Sequence, residues 1–496
     1  MSSESTSIKE YNANNSLENN GVADDDEPVP IYKQPSRRSS IAESISNSYS
    51  FFHSKLSTHR RKLGLKFLFN YLVLSIGVLG VFSIYWGSMY GRLDRIKNLR
   101  MLVVIDDMDT IDNIPPLFGD YLREVLQTDE AKIRGDWHIY NGTEFLEMAR
   151  QHNGNNITQE IERQVHHQYY WSSIYVKPNA TYNFFQALLQ NNGDYNVSAN
   201  SIVSIYETGR DFLNMNQYVT PSIQLIEKLF LTYQSNITER IVEDTDISIN
   251  SRERRTLIST PFNFLYIDRI PYNDPVLVAP SQVGLIYMVI LTFFNFNFFN
   301  EIHQSVVKLG VKKLHFLIYR YFASVLSYFI LSLLFGLVTL AFQVDFTVTY
   351  GKSGFLVYWM IAFMTMLVVG FANEIMAMIL IPTFPPLLGF WMLFWVIINI
   401  SPTFTPIALS PEFYRFGYAM PIHNSYEATK TVFFDISKYQ LGRNFGILAA
   451  WIVFLSCVFP FVVAYFGKTM GKKVKEQMEK TMKEREEVQM KENGTA

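Results

Sequence analysis

Apolar runs separated by short polar breaks fill residues 283–466, and one isolated apolar run lies far upstream at 65–86. About 20 apolar residues cross a hydrocarbon core as a helix, and a helix satisfies its own backbone there. The pattern predicts six spans: 67–85, 283–299, 322–342, two within 355–400, and 445–466. The tract 355–400 is too long for one crossing, and its only charged residue is Glu374. A turn is therefore expected near Asn373 and Glu374. Pro382, Pro385 and Pro386 follow, and each removes a backbone donor and favours a kink.

The block between the first two spans, 91–282, has a different rhythm. A short β-branched and aliphatic run at 101–105 ends in Asp106 and Asp107, as a buried strand followed by a turn does. A second strand is expected at 173–176, closed by Pro178 and Asn179, whereas 184–189 and 223–233 have helical spacing. The block is long enough to make its own core. The predicted fold is thus a multi-pass α-helical membrane protein with six transmembrane helices and a mixed α/β extracytosolic domain between helices 1 and 2. Its divisions are a tail (1–64), the first helix (65–90), the α/β domain (91–282), a five-helix membrane domain (283–466) and a charged tail (467–496). Within the proline-bearing loop 401–444, residues 426–434 suit a re-entrant or interfacial helix, which membrane depth tolerates only where protein or water covers the backbone.

Charge and sequons orient these pieces. Basic residues flank the first span on both sides, so they decide little. Block 91–282 carries five N-x-Ser/Thr sequons, at Asn141, Asn156, Asn179, Asn196 and Asn236, which fits a glycosylated lumenal domain. Lys308, Lys312, Lys313 and Arg320 follow the second span, and Lys468, Lys472, Lys473 and Lys475 follow the sixth. Both termini are then cytosolic, and the plasma membrane is the preferred location, ahead of the endoplasmic reticulum. The single cysteine, Cys457, excludes a disulfide within the chain, and a net charge of −2 gives no signature of a nucleic-acid partner.

The Ser- and Asn-rich, acidic residues of the N-terminal tail cannot bury enough apolar surface to fold, so disorder is expected there. Within it Arg37 and Arg38 precede Ser39 and Ser40, which makes these serines candidate phosphorylation sites. The C-terminal tail alternates Lys and Glu and predicts a solvated helix with pairs such as Glu476–Lys480 and Glu479–Lys483.

Catalytic signatures are sparse. Gly351-Lys352-Ser353 lacks the upstream glycine of a phosphate loop, because Phe346 stands there, and neither HExxH nor GxSxG occurs. Neither an enzymatic activity nor a cofactor or metal is predicted. His166 and His167 read as a surface pair, and Asp106, Asp107 and Asp109 as turn residues. Four residues mark a candidate transport path. Glu374 is ionisable in an apolar tract, although the expected turn would put it within reach of water. Asn297 lies near Asn295 and Asn300 at the end of the second span, and His423 and Glu427 are spaced to share a helical face.

Three stretches carry a family likeness: PSQVGLIY at 280–287, WSSIYVKPNAT at 171–181 and FGYAMPIHN at 416–424. With one span, a large external domain and five further spans, the chain resembles the fungal nitrosoguanidine-resistance protein family, related in layout to the membrane subunits of ABC-2 type transporters. The resemblance implies a bilayer-embedded protein that raises tolerance to toxic small molecules, with efflux-type transport as the leading expectation. The alternative is a non-transporting scaffold or regulator of lipid distribution or trafficking. Since no ATPase motif is present, a separate energising or regulatory protein, or a gradient, would have to drive transport.

Overall fold

The computed structural model describes residues 51–152, 154–243 and 248–493, so Ser39 and Ser40 lie outside the described residues. The chain divides into two units, 1–72 and 73–496. In the first, Arg60 donates to the carbonyls of Phe51 at 2.7 Å and His53 at 2.9 Å, beside the start of helix α1, Ser57–Met89.

The second unit contains a five-stranded sheet in the order β2-β1-β3-β4-β5, made of β1 Arg100–Ile105, β2 Asp136–Asn141, β3 Ser172–Val176, β4 Ile202–Tyr206 and β5 Leu265–Asp268. β1 runs parallel to β2 and β3, and β4 is antiparallel to β3. The run at 101–105 is buried throughout because it is central and covered on both faces. Met101, Val103 and Ile105 face a core built with α2 Leu117–Gln127, α5 Ala180–Leu189 and α6 Thr220–Leu231. Leu102 and Val104 face the opposite core with α3 Gly142–Arg150 and α4 Ile157–His166. This is the period of two that sorts alternate side chains to opposite faces.

Among the described residues five helices are long and apolar enough to cross a membrane. They contain α1, α7 Gly284–Lys308, α8 Lys313–Ala341, α9 Gly354–Thr383 and α12 Leu441–Asn493. The apolar tract does not turn near Glu374. α9 runs unbroken through Asn373 and Glu374, and the break comes at Phe384, Pro385 and Pro386, where two consecutive prolines leave donors missing. The remainder forms α10 Leu387–Ile400, whose 14 residues rise roughly 21 Å.

That short helix nevertheless carries the chain a long way. α9 starts on the sheet-domain side, where Val344 and Phe346 just before it share an apolar cluster with Ile270 and Tyr272, which follow β5, and it ends where Lys473 donates to the Pro382 carbonyl at 2.5 Å. After α10 the chain is back at the sheet domain: Asn214 donates to the Phe404 carbonyl at 3.3 Å, and Leu409 sits in the sheet domain's own core. The helix expected in the following loop is α11, Pro421–Phe434, buried along nearly its whole length beneath the sheet domain. α12 then continues without interruption into the charged tail, whose ion pairs include Lys472–Glu476 at 3.9 Å and Lys475–Glu479 at 4.0 Å rather than the Glu-first pairs expected.

Candidate functional site

Arg320, Ser324 and Tyr328 recur every four residues along α8 and so share one face. That face meets Glu374 of α9. Arg320 Nη2 lies 2.8 Å from Glu374 Oε2, and Ser324 Oγ donates to the same oxygen at 3.0 Å. Tyr328 Oη donates to Glu374 Oε1 at 2.5 Å. Arg320 also donates to Ser324 Oγ at 2.5 Å. Glu374 is 1% exposed and Arg320 5%, so the residue expected at a watered turn is instead a buried, fully paired carboxylate. Gly370, one turn before Glu374, makes this arrangement fit: a Cβ there would lie 2.3 Å from the Tyr328 ring.

Beside the pair lies a groove of about 450 Å³ between α7 and α8, bordered by Asn295, His303, Tyr319, Arg320 and Glu374. Asn295, rather than Asn297, reaches into it and accepts a hydrogen bond from Ser327 at 2.6 Å. Asn297 is exposed and bonds to the Phe293 carbonyl of its own helix at 3.3 Å, so it leaves the candidate path. Asn373 pins three helices, donating to the Val289 carbonyl and Thr292 at 3.1 Å each and accepting from Trp391 at 3.1 Å.

His423 and Glu427 form a second cluster on α11. Sequence spacing anticipated their shared face but not what meets it. The i,i+3 pair Lys430–Glu427 closes at 2.8 Å, and Lys430 also donates to the Arg210 carbonyl of the sheet domain at 2.8 Å. Arg210 stacks on Trp171 with its guanidinium carbon 3.7 Å from the ring centre and donates to the Tyr170 carbonyl at 2.7 Å. Burial pushes the Arg210 guanidinium down to about 10 and raises the neighbouring Asp211 carboxyl. These groups surround a chamber of about 240 Å³, into which His423 also faces. His423 is 8% exposed and its Nδ1 has no hydrogen-bond partner.

The remaining candidates separate clearly. Asn156, Asn179, Asn196 and Asn236 are exposed, whereas Asn141 ends β2 half-buried and its Oδ1 accepts from Arg123 at 2.6 Å. Asp107 is buried and accepts from Thr181 Oγ1 at 2.6 Å, anchoring the end of β1 rather than decorating a turn. His166 is no bare surface histidine, since its Nδ1 lies 3.1 Å from the buried Glu207. Gly351-Lys352-Ser353 forms one short 3-10 turn.

Residues 70–457 match the family model described as "Protein of unknown function (DUF3533)". The chain belongs to the DUF3533 family. This DUF3533 member is 34% identical over 434 residues to the "Uncharacterized endoplasmic reticulum membrane protein YJR015W" of Saccharomyces cerevisiae, covering 86% of this chain and 85% of that relative. No solved structure matches it. It is a multi-pass membrane protein, as the helices and the relative agree.

Proposed function

We propose that this DUF3533 protein is an efflux-type transporter of toxic amphiphilic small molecules, working in the endoplasmic reticulum membrane. The observation that carries the reading is the buried Arg320–Glu374 pair beside a groove of about 450 Å³. Ionisable groups at membrane depth are costly, and they concentrate along substrate and ion paths. The likeness to nitrosoguanidine-resistance proteins supplies the substrate class, and the description of the yeast relative as an endoplasmic reticulum membrane protein supports that membrane in place of the plasma membrane expected first. Energy comes from a separate protein or a gradient.

In this reading α10 is a short sixth crossing, because the chain leaves the apolar cluster it shares with Ile270 and Tyr272 along α9 and returns to the sheet domain after α10. The sheet domain is lumenal and both termini are cytosolic. Glycans then sit on Asn156, Asn179, Asn196 and Asn236, while Asn141, engaged by Arg123, is occupied least. A second reading, a non-transporting scaffold, is favoured by one feature: both carboxylate oxygens of Glu374 are already bonded within the bundle, as a fixed interhelical pin requires.

Short-time accumulation of labelled nitrosoguanidine, measured before toxicity in cells with and without the protein, separates the readings. Lower accumulation with the protein supports transport; equal accumulation with unequal survival favours the scaffold. Short, uniform core glycans released by endoglycosidase H support residence in the endoplasmic reticulum, and mannose-extended glycans count against that location.

A further inference from the structure

The groove between α7 and α8 is sorted by polarity along its length. His303, Tyr319 and Arg320 border it toward the α7–α8 hairpin, and Leu331 and Leu334 border it farther along α8. From Arg320 to Leu334 the helix rises roughly 21 Å, enough to traverse one leaflet of a hydrocarbon core about 30 Å thick. Its wall is open to the side: Leu326, Ile330 and Leu334 are 60%, 47% and 52% exposed on the surface a crossing helix presents to lipid. The hairpin carries exposed Lys308, Lys312 and Lys313, and no acidic residue occurs from 302 to 319.

We propose that this groove holds an anionic phospholipid of the leaflet bordering the α7–α8 hairpin. The headgroup lies against the hairpin lysines and the His303–Arg320 end, and an acyl chain lies along Phe296, Ile330 and Leu334. Charge complementarity selects the occupant. The exposed lysines lie at the hairpin end, Asn295 and Ser327 line the middle of the groove, and the far wall of Ile330, Leu331 and Leu334 is aliphatic. Arg320 stays paired with Glu374 and lends one donor-rich edge to the groove, while three exposed lysines against one exposed carboxylate, Glu301, leave a net positive charge at the hairpin end. A zwitterionic headgroup, whose ammonium offsets its phosphate, gains less from that patch than a headgroup of net negative charge. The inference names the ligand class for the groove used by the transport reading, and binding can be measured without any transport.

The test is native mass spectrometry of the full-length protein released from nanodiscs containing phosphatidylserine and phosphatidylcholine of identical chains. Phosphatidylserine should be retained about tenfold better, the scale of one to two lysines engaged near the surface. Lys308→Gln/Lys312→Gln/Lys313→Gln, confined to exposed positions, should erase the preference. Ala323→Leu, which narrows the groove wall, should lower retention of both lipids. Equal retention of the two lipids, or undiminished preference in the lysine variant, overturns the proposal. So does displacement by glycerol phosphate alone, which would mean a free-phosphate site. If Ala323→Leu fails to fold, the lysine variant decides. Selective retention together with unchanged nitrosoguanidine accumulation sinks the transport reading and leaves the lipid site standing; the reverse pattern sinks only the lipid site.

Discussion

Glu374 and Glu427 each hold a cation at 2.8 Å in a buried setting, yet their surroundings differ. Around Glu374, the hydroxyls of Ser324 and Tyr328 join Arg320 until both carboxylate oxygens are bonded. Around Glu427, Lys430 divides its ammonium between the carboxylate and a carbonyl of another domain, and the buried His423 Nδ1 has no hydrogen-bond partner. A charge far from water must be satisfied within the protein, so the first cluster is complete. The second lies where the sheet domain meets α11, beside a small cavity, and leaves the His423 Nδ1 unbonded. The lesson is that an ion-pair distance says little about role; the saturation of the remaining lone pairs distinguishes a fixed station from an adaptable one.

The largest effect should come from breaking the complete cluster. Glu374→Leu leaves Arg320 buried without its partner and should cost about 3 to 5 kcal/mol, read as loss of thermal stability in detergent. Arg320→Met together with Glu374→Leu should recover most of that loss, and failure to recover would mean that the pair is not the main interaction there. Lys430→Met should come next, at about 2 to 3 kcal/mol, because it strips a charged donor from both Glu427 and the Arg210 carbonyl. Its signature is faster amide exchange across Pro421–Phe434, with the α8–α9 contact unchanged. Exchange changes spread evenly over the molecule would contradict a local junction.

Gly370→Ala should cost about 1 to 3 kcal/mol by pressing a methyl group into Tyr328. The cost should shrink in a Tyr328→Leu background, where the ring is gone. The smallest effect concerns pH. Burial lowers the His423 imidazole from 6.5, its ordinary value, with Lys430 and Arg443 adding to the shift and Glu427 opposing it. The unfolded chain therefore binds more protons at this site than the folded one. The contribution is fully present above 6.5 and is lost as pH falls through the lower folded value. His423→Gln should flatten that part of the stability profile, and an unchanged slope would remove His423 as its source.

Much of this was legible in the sequence where a local period dominates. β1 announced itself as a β-branched run, α11 as a polar helix among prolines, and the crossing helices as apolar lengths. What escaped depended on long-range partners. Apolar residues run on both sides of Asn373 and Glu374, so hydropathy could not show that the helix continues to Thr383, just before Pro385 and Pro386. Arg320 looked like a cytosolic flanking charge because the apolar run resumes after it, while α8 begins at Lys313 and buries it. Its spacing with Ser324 and Tyr328 was the available signal, a polar stripe on one face of an otherwise apolar helix. Asn295 and Asn297 differ by two positions and point to different sides of α7, a distinction that needs the neighbour carrying Ser327. Arg210 and Asp211 gave no local clue, since α11 meets them across more than two hundred residues.

The most direct measurement is nitrosoguanidine accumulation in cells producing wild type, Glu374→Gln or Glu427→Gln, each matched for protein abundance in the membrane. Gln keeps the shape of the carboxylate and one acceptor oxygen, but it removes the charge and puts an NH2 donor in place of the second acceptor. If the groove beside Arg320–Glu374 is the working site, Glu374→Gln raises accumulation toward the level of cells lacking the protein. Wild-type accumulation in Glu374→Gln at equal abundance would contradict that claim and leave the buried pair as an interhelical pin.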